Sequence, residues 1–592
     1  MSARHALQWF AVLALWIGAM LHAGAAAAAE PAPRPPGFVA LAYRDIVDKD
    51  PEQRFGAVTT SRLAEEFDWL KKHGYQPVSL DDLIAAGRGR PLPPKPVLLT
   101  FDDGFESFYT RVFPLLQAFH YPAVLGVVGS WISAAPGATV RYGDSDVPRA
   151  KFMTWNQVRA VAASGLVEIA AQTNALAGGV PANPQGDIEP AATSRRYDPA
   201  QSRYEDEAEY AQRLTRDFTA IVNVLRQETG RVPRAMAWPK GERNQEAVSI
   251  AASLGMPITL TLDAGSASIG QLAEIPRRPI VDDPWIGDFA DLLSVPGTPQ
   301  PLRAVRVALD SVHDPDKARE ERNLEALIAR IRRLHISAVF LEAYVEPQGS
   351  QRVREVYFPN RVLPMRADLF NHVAWQLRSR ANVTVYATLP VLRFDFAGAL
   401  APADPRSQQL AADLYEDLAA SANFGGLFFD EDAMPRDGGD GLEDLTAQIA
   451  ARVARFRGPV KTARNLTAPR VALPAAGAEP SQSLAVYVRS YDYAVITKMP
   501  DRQGTATPDA GASLAALVAA ARLDDSSLRR VVFNLGAAEG PSGRGAGLAR
   551  EMELLRELGA SNFGYYPDDF LRNRPDIDTI HAVMSLQTVP AR

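Results

Sequence analysis

The sequence has no cysteine among its 592 residues. This absence excludes disulfides, thiolate metal sites, cysteine nucleophiles and a lipid anchor attached to an N-terminal cysteine. The net charge of -6 gives no basic surface of the kind that binds nucleic acid, so we expect no nucleic-acid partner. After the N-terminal segment, no apolar run reaches the ~18 residues that a membrane-spanning helix needs.

The N-terminal segment has the layout of a secretory signal peptide. Arg4 and His5 precede an apolar stretch at 6–21, and the alanines at 25–29 supply small residues for a cleavage site before Glu30. We therefore predict a cleaved signal peptide at 1–29 and a periplasmic mature protein that begins near Glu30. An uncleaved membrane anchor is the alternative, but the apolar stretch is short for a span and the alanines favour cleavage.

Short apolar strands alternate with amphipathic helical patterns in the first half of the chain. The predicted strands lie at 37–46, 96–104, 122–131, 167–173, 234–241, 258–265 and 275–283. This alternation is typical of a parallel α/β architecture. Seven strands without a dinucleotide-binding fingerprint predict an incomplete (β/α)7 barrel over residues 30–293. The polar, proline-bearing segment at 177–204 is predicted to be a long surface loop.

A proline-rich stretch at 294–303 is predicted to link two domains. After it the alternation resumes with eight predicted strands, at 304–310, 336–344, 383–390, 424–432, 460–465, 492–500, 530–536 and 560–567. Eight strand–helix units over this length predict a (β/α)8 TIM-like barrel at 304–592.

Polar side chains stand at or near the ends of the strands of this second domain. They are Asp310, Glu342, Asp430, Glu431, Asp432, Arg464, Asn465, Lys498, Asn534 and Tyr566. In a (β/α)8 barrel the C-terminal ends of the strands form the face that carries active sites. Any single strand can end in a polar residue for solvation alone, but ten such positions together favour a ligand-binding mouth.

Two groups of carboxylates could carry chemistry. Asp102 and Asp103 follow an apolar strand beside a glycine. Adjacent aspartates can divide metal binding and general-base catalysis between them, although Asp-Asp-Gly is also common in structural turns. The run Asp430-Glu431-Asp432 ends a second apolar strand, where dense charge is costly unless it binds a cation, a sugar or a water. Two carboxylates that flank a glycosidic bond are the usual apparatus of glycosidases.

Two sets of motifs resemble one known family. Residues 99–104, which read LTFDDG, and residues 107–109 resemble the first motif of the polysaccharide deacetylases. Residues 357–370 and 564–570 resemble the C-terminal glycoside-hydrolase-like domain of the poly-β-1,6-N-acetyl-D-glucosamine N-deacetylases of biofilm exopolysaccharide systems. The resemblance implies a hydrolase that acts on this exopolysaccharide, with a divalent Zn, Ni or Co ion as cofactor. It also implies an outer-membrane export porin as a candidate partner.

The resemblance assigns roles to particular residues. It implies that Asp102 is the general base and that Asp103 is a metal ligand. It also implies that Glu431 and Asp432 are the catalytic carboxylates of the second domain. Trp238 lies in the segment 237–241, whose backbone in the family helps to form the oxyanion site. The residues assigned to substrate binding are Asp310, Glu342, Asp430, Arg464, Asn465, Trp238 and Tyr566.

The first domain departs from the family at its metal site. The family completes that site with two histidines, and Gln172 and Ala177 stand in their places here. Arg44 occupies the position where the first strand of the family usually ends in a histidine. Asp103 and a glutamine form a poor donor set for Zn²⁺, Ni²⁺ or Co²⁺, which favour imidazole at neutral pH. The metal site is therefore incomplete, and we expect no catalytic metal in this domain.

Three functions remain open from the sequence. The chain could be an active deacetylase and glycosidase, a non-catalytic polysaccharide-binding or export-partner protein, or a hydrolase active only through its C-terminal barrel. The missing histidines oppose the first function. Asn534 stands in place of a family glutamate and weakens the third. We expect polymer binding without cleavage.

Overall fold

The computed structural model describes residues 37–143, 145–263, 265–294, 300–345, 352–396, 404–430, 441–458, 460–468, 480–498, 510–537 and 545–588. The predicted signal peptide, Glu431 and Asp432 lie outside these described residues. No helix within the described ranges is long and apolar enough to cross a membrane.

The first domain is a parallel barrel of seven strands. They are β1 (Gly37–Tyr43), β2 (Pro96–Phe101), β3 (Ala123–Val127), β4 (Val167–Ala171), β5 (Ala235–Ala237), β6 (Ile258–Thr261) and β7 (Ile275–Pro276). Each strand pairs in parallel with the next. Directly after β7, the residues Arg278–Pro279 pair with β1, so the sheet returns to its first strand. The predicted seven-stranded barrel is confirmed.

Helices cover the outside of this barrel. They are α1 (Thr60–Lys72), α2 (Leu80–Gly87), α3 (Phe113–Phe119), α4 (Gly129–Ser133), α5 (Trp155–Ala163), α6 (Glu207–Thr229), α7 (Gln245–Ser253) and α8 (Ile286–Ser294). In α6, the side chain of Asp206 caps the N-terminus by accepting a hydrogen bond from the Glu209 N–H, at 2.8 Å. Leu214, Phe218 and Leu225 recur at helical spacing and bury one face of this helix against the sheet.

Alternation along the strands separates two apolar layers. Side chains that point outward, such as Leu99 and Phe101, pack under the helices in the larger core. Side chains that point inward form a smaller apolar cluster, in which Ala40, Ala170 and Ala237 alternate with larger residues such as Leu98 and Leu260. Successive side chains of a strand point to opposite faces, so every second residue points inward. At the C-terminal ends of the strands, these inward positions carry polar residues. The first domain therefore has a narrow apolar interior that ends in a polar site.

The second domain is a closed barrel of eight parallel strands. They are β8 (Arg303–Ala308), β9 (Ala338–Glu342), β10 (Thr384–Pro390), β11 (Gly426–Asp430), β12 (Lys461–Thr467), β13 (Tyr493–Lys498), β14 (Val531–Gly536) and β15 (Phe563–Tyr566). The last strand pairs with the first. The predicted (β/α)8 barrel is confirmed, while the domain limits at 30–293 and 304–592 stay predictions.

Within the described residues, eight helices surround the second barrel. They are α9 (Lys317–Leu334), α10 (Phe370–Ala381), α11 (Pro405–Ser421), α12 (Gly441–Arg457), α13 (Pro480–Ser490), α14 (Ala510–Ala521), α15 (Ala546–Glu557) and α16 (Ile577–Met584). Inside the barrel, the N-terminal half of the strands is apolar, with Phe340, Tyr386 and Phe428 in contact. The inward positions nearer the C-terminal ends are polar, which places a hydrophilic layer at the mouth.

The prediction of a surface loop at 177–204 is wrong. The segment forms two short antiparallel hairpins and packs against α10 of the second barrel. Its Asp187 carboxylate accepts a hydrogen bond from His372 at 2.7 Å, and its Glu189 accepts one from Asn371 at 2.8 Å. The segment is polar because its hydrogen-bonding partners lie on the neighbouring barrel, so its composition resembles that of a solvated loop.

Candidate functional site

Asp102 lies at the C-terminal end of β2 and is held by a buried ion pair. Both of its carboxylate oxygens accept hydrogen bonds from the Arg277 guanidinium, at 2.7 and 2.9 Å. The same guanidinium donates to the Thr100 hydroxyl at 2.9 Å. Arg277 is 1% exposed and Asp102 is 5% exposed. The position of the Asp102 carboxylate is therefore fixed by its two hydrogen bonds to Arg277.

Sequence reasoning missed Arg277. The residue directly follows β7, and 175 residues separate it from Asp102 in the sequence. A signal was available, because an arginine inside an otherwise apolar strand is costly to bury unless a carboxylate accompanies it. The identity of that carboxylate could not be read from the local pattern.

Asp103 follows in a left-handed turn, with a φ of 74°, and its carboxylate is surrounded by donors. Gln172 at the end of β4 donates through Nε2 to Oδ1 at 2.6 Å, and its Oε1 accepts from the Asp103 N–H at 2.7 Å. The Tyr142 hydroxyl donates to Oδ2 at 2.7 Å. The Nε of Arg44 lies 3.8 Å from the same oxygen.

Close packing brings these groups together inside the barrel mouth. A Cβ added to Gly126 on β3 would lie 3.1 Å from Gln172 Oε1 and 3.5 Å from Asp102 Oδ1. A side chain at this position would press on Gln172, and glycine leaves this amide room beside Asp102. Burial raises the pKa of the Asp103 carboxyl, and the charge of Arg44 opposes that rise. Burial lowers the pKa of Arg44, but Asp103, Tyr142 and Asp102 together outweigh this effect and raise that pKa.

Tyr142 reaches Asp103 from a hairpin formed by Thr139–Tyr142 and Ser145–Pro148. Its ring lies 5.3 Å from those of Phe55 and Trp131, within a buried aromatic cluster. Ala177 packs against this cluster as well. The resemblance predicts the second histidine at position 177. This chain has the methyl group of Ala177 there, beside the aromatic cluster that holds Tyr142.

The residues around Asp103 do not fit a divalent metal ion. The carboxylate already binds an amide and a phenol, and a guanidinium adds positive charge where a cation would sit. An amide and an alanine replace the imidazole donors that Zn²⁺, Ni²⁺ and Co²⁺ favour. Among the described residues, no group of three or more histidine, cysteine, aspartate and glutamate side chains is placed to hold a metal ion.

The Trp238 side chain does not line the mouth, and the assignment of this residue to substrate binding through its backbone stays a prediction. Ala235 and Ala237 point into the barrel, so the alternation along β5 turns Trp238 outward. Its ring lies 5.9 Å from that of Phe218 on α6 and is 1% exposed. The residue packs in the core between sheet and helices.

In the second barrel, Arg306 lies inside the mouth between two carboxylates. Its Nε donates to Glu342 at 2.5 Å, and its Nη2 donates to Asp430 at 3.1 Å and to the Tyr344 hydroxyl at 3.0 Å. Arg393 also donates to Asp430, at 3.1 Å. Burial lowers the pKa of Arg306, but the charges of Asp430 and Glu342 outweigh it and raise that pKa.

Arg306 changes the expected character of the mouth. Glu342 and Asp430 are brought together, as predicted, but a cation that sequence reasoning missed lies between them. The ring of Tyr566 covers the guanidinium, with its centroid 4.8 Å from Cζ. The described part of the mouth is therefore nearly neutral, where the sequence predicted an acidic surface.

A chain of hydrogen bonds continues around the mouth from Asp430. Asn465 on β12 donates to Asp430 at 3.2 Å and accepts from the Thr497 hydroxyl at 2.7 Å. Asn534 on β14 donates to Thr497 at 3.2 Å. Asn534 thus joins a neutral network at the position where the family has a glutamate.

Asp310 stands apart from this network at the rim. It follows β8, is exposed to solvent and accepts a hydrogen bond from the Tyr357 hydroxyl at 2.5 Å. The described mouth therefore offers one exposed carboxylate beside a phenol, separate from the buried pair around the guanidinium.

The assignment of Arg464 to substrate binding is wrong. Its neighbours in register, Phe429 and Ala494, belong to the core outside the barrel. Its Cζ lies 5.8 Å from the ring centroid of Tyr487 on α13. The residue therefore faces the helices. The predicted catalytic residues Glu431 and Asp432 lie outside the described residues.

Comparisons with known families match the two barrels in chain order. Residues 89–259 match the family described as polysaccharide deacetylase. Residues 306–399 and 439–566 match the family described as hypothetical glycosyl hydrolase family 13.

Similar proteins were found among both curated proteins and solved structures. The poly-β-1,6-N-acetyl-D-glucosamine N-deacetylases of Escherichia coli strains K12 and O157:H7 are each 37% identical to this chain, over 94% of it and 93% of the relative. The glycoside hydrolase domain of PgaB (BpsB) from Bordetella bronchiseptica is 35% identical, over 48% of this chain and 99% of that domain, with a TM-score of 0.43. The BpsB deacetylase domain from the same organism is 40% identical, over 41% of this chain and 97% of that domain, with a TM-score of 0.38.

Proposed function

Because the chain belongs to the poly-β-1,6-N-acetyl-D-glucosamine N-deacetylase family, we propose that it binds this biofilm polymer without removing its acetyl groups. One observation carries the proposal. The Asp103 carboxylate, which would bind the metal in an active relative, is occupied by Gln172, Tyr142 and Arg44.

Two features of the first barrel support the proposal that this domain does not deacetylate the polymer. The amide and the phenol use both oxygens of Asp103, so a metal ion would have to displace two hydrogen bonds. The Arg44 guanidinium would then repel the incoming cation. At an effective dielectric constant of 20, a unit charge and a divalent charge ~4 Å apart repel each other by about 8 kcal/mol. Asp102 is also engaged, because its charge is paired with Arg277.

The second barrel supports binding rather than cleavage. Glycosidases need two carboxyl groups free to act as acid and as base or nucleophile. In the described mouth, Glu342 and Asp430 are both paired with Arg306 and are buried. Asp310 instead provides an exposed carboxylate, which the hydroxyl of the buried Tyr357 orients through a hydrogen bond. A partially deacetylated polymer carries protonated amines, which suit such a carboxylate.

We further propose that the protein acts in the periplasm, after cleavage of the segment 1–29, and that it works beside an outer-membrane export porin. The N-terminal sequence of the mature protein recovered from a periplasmic fraction tests the cleavage. A mature N-terminus near Glu30 is the expected result, and an intact Met1 in the membrane fraction would contradict the proposal. Co-purification with the porin of the same export system tests the partnership, and a porin that never co-purifies would count against it.

The test of the proposed function combines metal analysis, deacetylation and binding. The purified protein, incubated with Zn²⁺, Ni²⁺ or Co²⁺ and dialysed, should retain less than about 0.1 equivalent of metal and should release no acetate from the polymer. Calorimetry with partially deacetylated oligosaccharides should still detect binding. The variant Glu431→Gln with Asp432→Asn should weaken that binding, and release of shortened oligosaccharides would show hydrolysis instead.

A triple variant provides the matched control. Arg44→His, Gln172→His and Ala177→His together remove the repelling cation and restore the imidazoles, so this protein should retain about one metal ion. Metal retained by the unmodified protein through Asp103, or acetate released by it, would refute the proposal. If neither protein binds metal, the three positions have been placed wrongly and the argument from the first barrel fails.

A further inference from the structure

Trp285 is the most exposed of the large apolar side chains in the described part of the chain. Its side chain is 74% exposed, in the loop between β7 and α8. A tryptophan normally buries most of its surface, because its ring carries a large hydrophobic area. An indole left in solvent on an ordered loop is therefore available to contact a ligand.

The loop holds this ring in a defined orientation. Arg62 on α1 places its Cζ 5.0 Å from the ring centroid, so a cation lies over the ring. Asp283 ties the loop to the start of α1 by accepting hydrogen bonds from Thr59, at 2.7 Å from its N–H and at 3.0 Å from its hydroxyl. The Trp285 carbonyl accepts the N–H of Phe289, at 3.0 Å. The exposed ring surface is thus presented without the entropy cost of fixing a mobile side chain.

The position of Trp285 relates it to the candidate site. The loop follows the C-terminal end of the last strand, and the N–H of Ile280 donates to Ala42 on β1 at 2.9 Å. Trp285 therefore lies on the face of the first barrel that also carries Asp102 and Asp103. The second barrel packs beside the ends of β4 and β5, so Trp285 is on the opposite rim of this face.

The surroundings of the ring indicate the chemistry of the ligand. Asp282 and Asp288 are exposed carboxylates within three residues of Trp285 in the sequence. A flat aromatic surface suits the apolar face of a pyranose ring, and nearby carboxylates suit a protonated amine. A partially deacetylated glucosamine polymer offers both groups on the same sugar.

We infer that Trp285 is a stacking platform for one sugar ring of a β-1,6-linked glucosamine polymer, on the rim of a barrel that performs no deacetylation. This inference rests on the proposed function and adds a contact on the first barrel to the one proposed in the mouth of the second. The first barrel then retains a share of polymer binding through a residue outside the family's metal site.

The test measures binding of a partially deacetylated β-1,6-glucosamine hexasaccharide by calorimetry. Trp285→Ala should weaken binding about tenfold, the effect of losing one aromatic stacking contact and its buried area. Trp285→Phe should stay within about threefold of the unmodified protein, because a ring remains. Val232→Ala is the matched control and should bind normally, because Val232 is a 40% exposed apolar residue at the other end of this barrel.

Tryptophan fluorescence gives a second readout at the same residue. The other tryptophans in the described residues are buried or half-buried, so the hexasaccharide should protect mainly Trp285 from quenching by acrylamide. This protection should be absent in Trp285→Phe.

The outcomes separate the two proposals. If the unmodified protein fails to bind the hexasaccharide, the proposed function is wrong and this inference falls with it. If the unmodified protein binds and Trp285→Ala binds equally well, only the platform is wrong. A change in molecular mass by light scattering in Trp285→Ala would also overturn it, because the ring would then be a contact between two copies of the chain.

Discussion

Replacing Arg306 by methionine tests whether this guanidinium balances the carboxylates of the second mouth. Glu342 is completely buried and Asp430 is 5% exposed. Methionine fills a similar volume but removes the cation from Glu342 and leaves Asp430 paired with Arg393. At an effective dielectric constant of 20, each charge pair ~4 Å apart contributes about 4 kcal/mol. Methionine also removes the free-energy cost of burying a guanidinium. The net loss in the free energy of unfolding is therefore smaller than the sum of the two charge-pair energies.

Removal of one partner from a buried ion pair typically costs about 3–5 kcal/mol. In a domain of this size, 1 kcal/mol corresponds to roughly 2–4 °C in Tm. We therefore expect Arg306→Met to lower the melting temperature of the second barrel by about 10 °C in differential scanning calorimetry. Lys317→Met provides a control in the same barrel, because the Lys317 side chain is 73% exposed in its pair with Glu320. Its loss should be below about 1 kcal/mol.

The pH dependence of the variant provides a sharper check. Without Arg306, burial should raise the folded-state pKa of Glu342 above the unfolded value of about 4. A carboxyl with a raised folded pKa stabilises the native state at low pH, and that stability is lost as pH rises through the folded pKa. The deficit of Arg306→Met should therefore grow between about pH 5 and pH 8. A deficit below about 2 °C, or one independent of pH, would refute the reasoning.

Two further predictions concern the first barrel and its contact with the second. Arg277→Met should destabilise the first barrel by about 3–5 kcal/mol in urea unfolding, because Asp102 is left buried without its arginine. Adding Asp102→Asn should recover part of that loss. If the two substitutions had additive effects, the energetic coupling between Arg277 and Asp102 would be contradicted. Burial raises the pKa of Glu189, between the barrels, to about 7. Since this exceeds the unfolded value of about 4.5, stability should fall as pH rises through 7, and Glu189→Gln should stabilise the protein by roughly 1–3 kcal/mol at pH 8 and hardly at all at pH 5. Equal thermal stability of the two proteins at pH 8 would count against a raised pKa.

The strand and helix pattern of this protein could be read from its sequence. Apolar runs of strand length, separated by amphipathic helices, predict parallel barrels because such strands must be covered on their outer face. The placement of Asp102, Asp103 and Gln172 at the ends of strands follows from the same pattern. The sequence also shows no imidazole at positions 172 and 177, and the resemblance to the family indicates that histidines are expected there.

Other features depended on the fold. Trp238 directly follows its strand and Arg464 lies in the middle of β12, and both side chains face the helices. Successive residues of a strand point to opposite sides, so an error of one residue in register exchanges the inner and outer sets. A sequence pattern places a strand end only to within a few residues. This precision is too low to decide whether a given side chain points into the barrel or toward the helices.

The cations that balance the candidate sites were decided by the tertiary structure alone. Arg277 is 175 residues from Asp102, and Arg306 is 124 residues from Asp430. Tyr142 reaches Asp103 from a hairpin 39 residues away. No local preference encodes such pairs, because each residue is placed by its own strand or hairpin and the partners meet only when the barrel closes. The sequence by itself therefore determined which carboxylates stand at the mouths, and the closure of the barrels decided which of them are already neutralised.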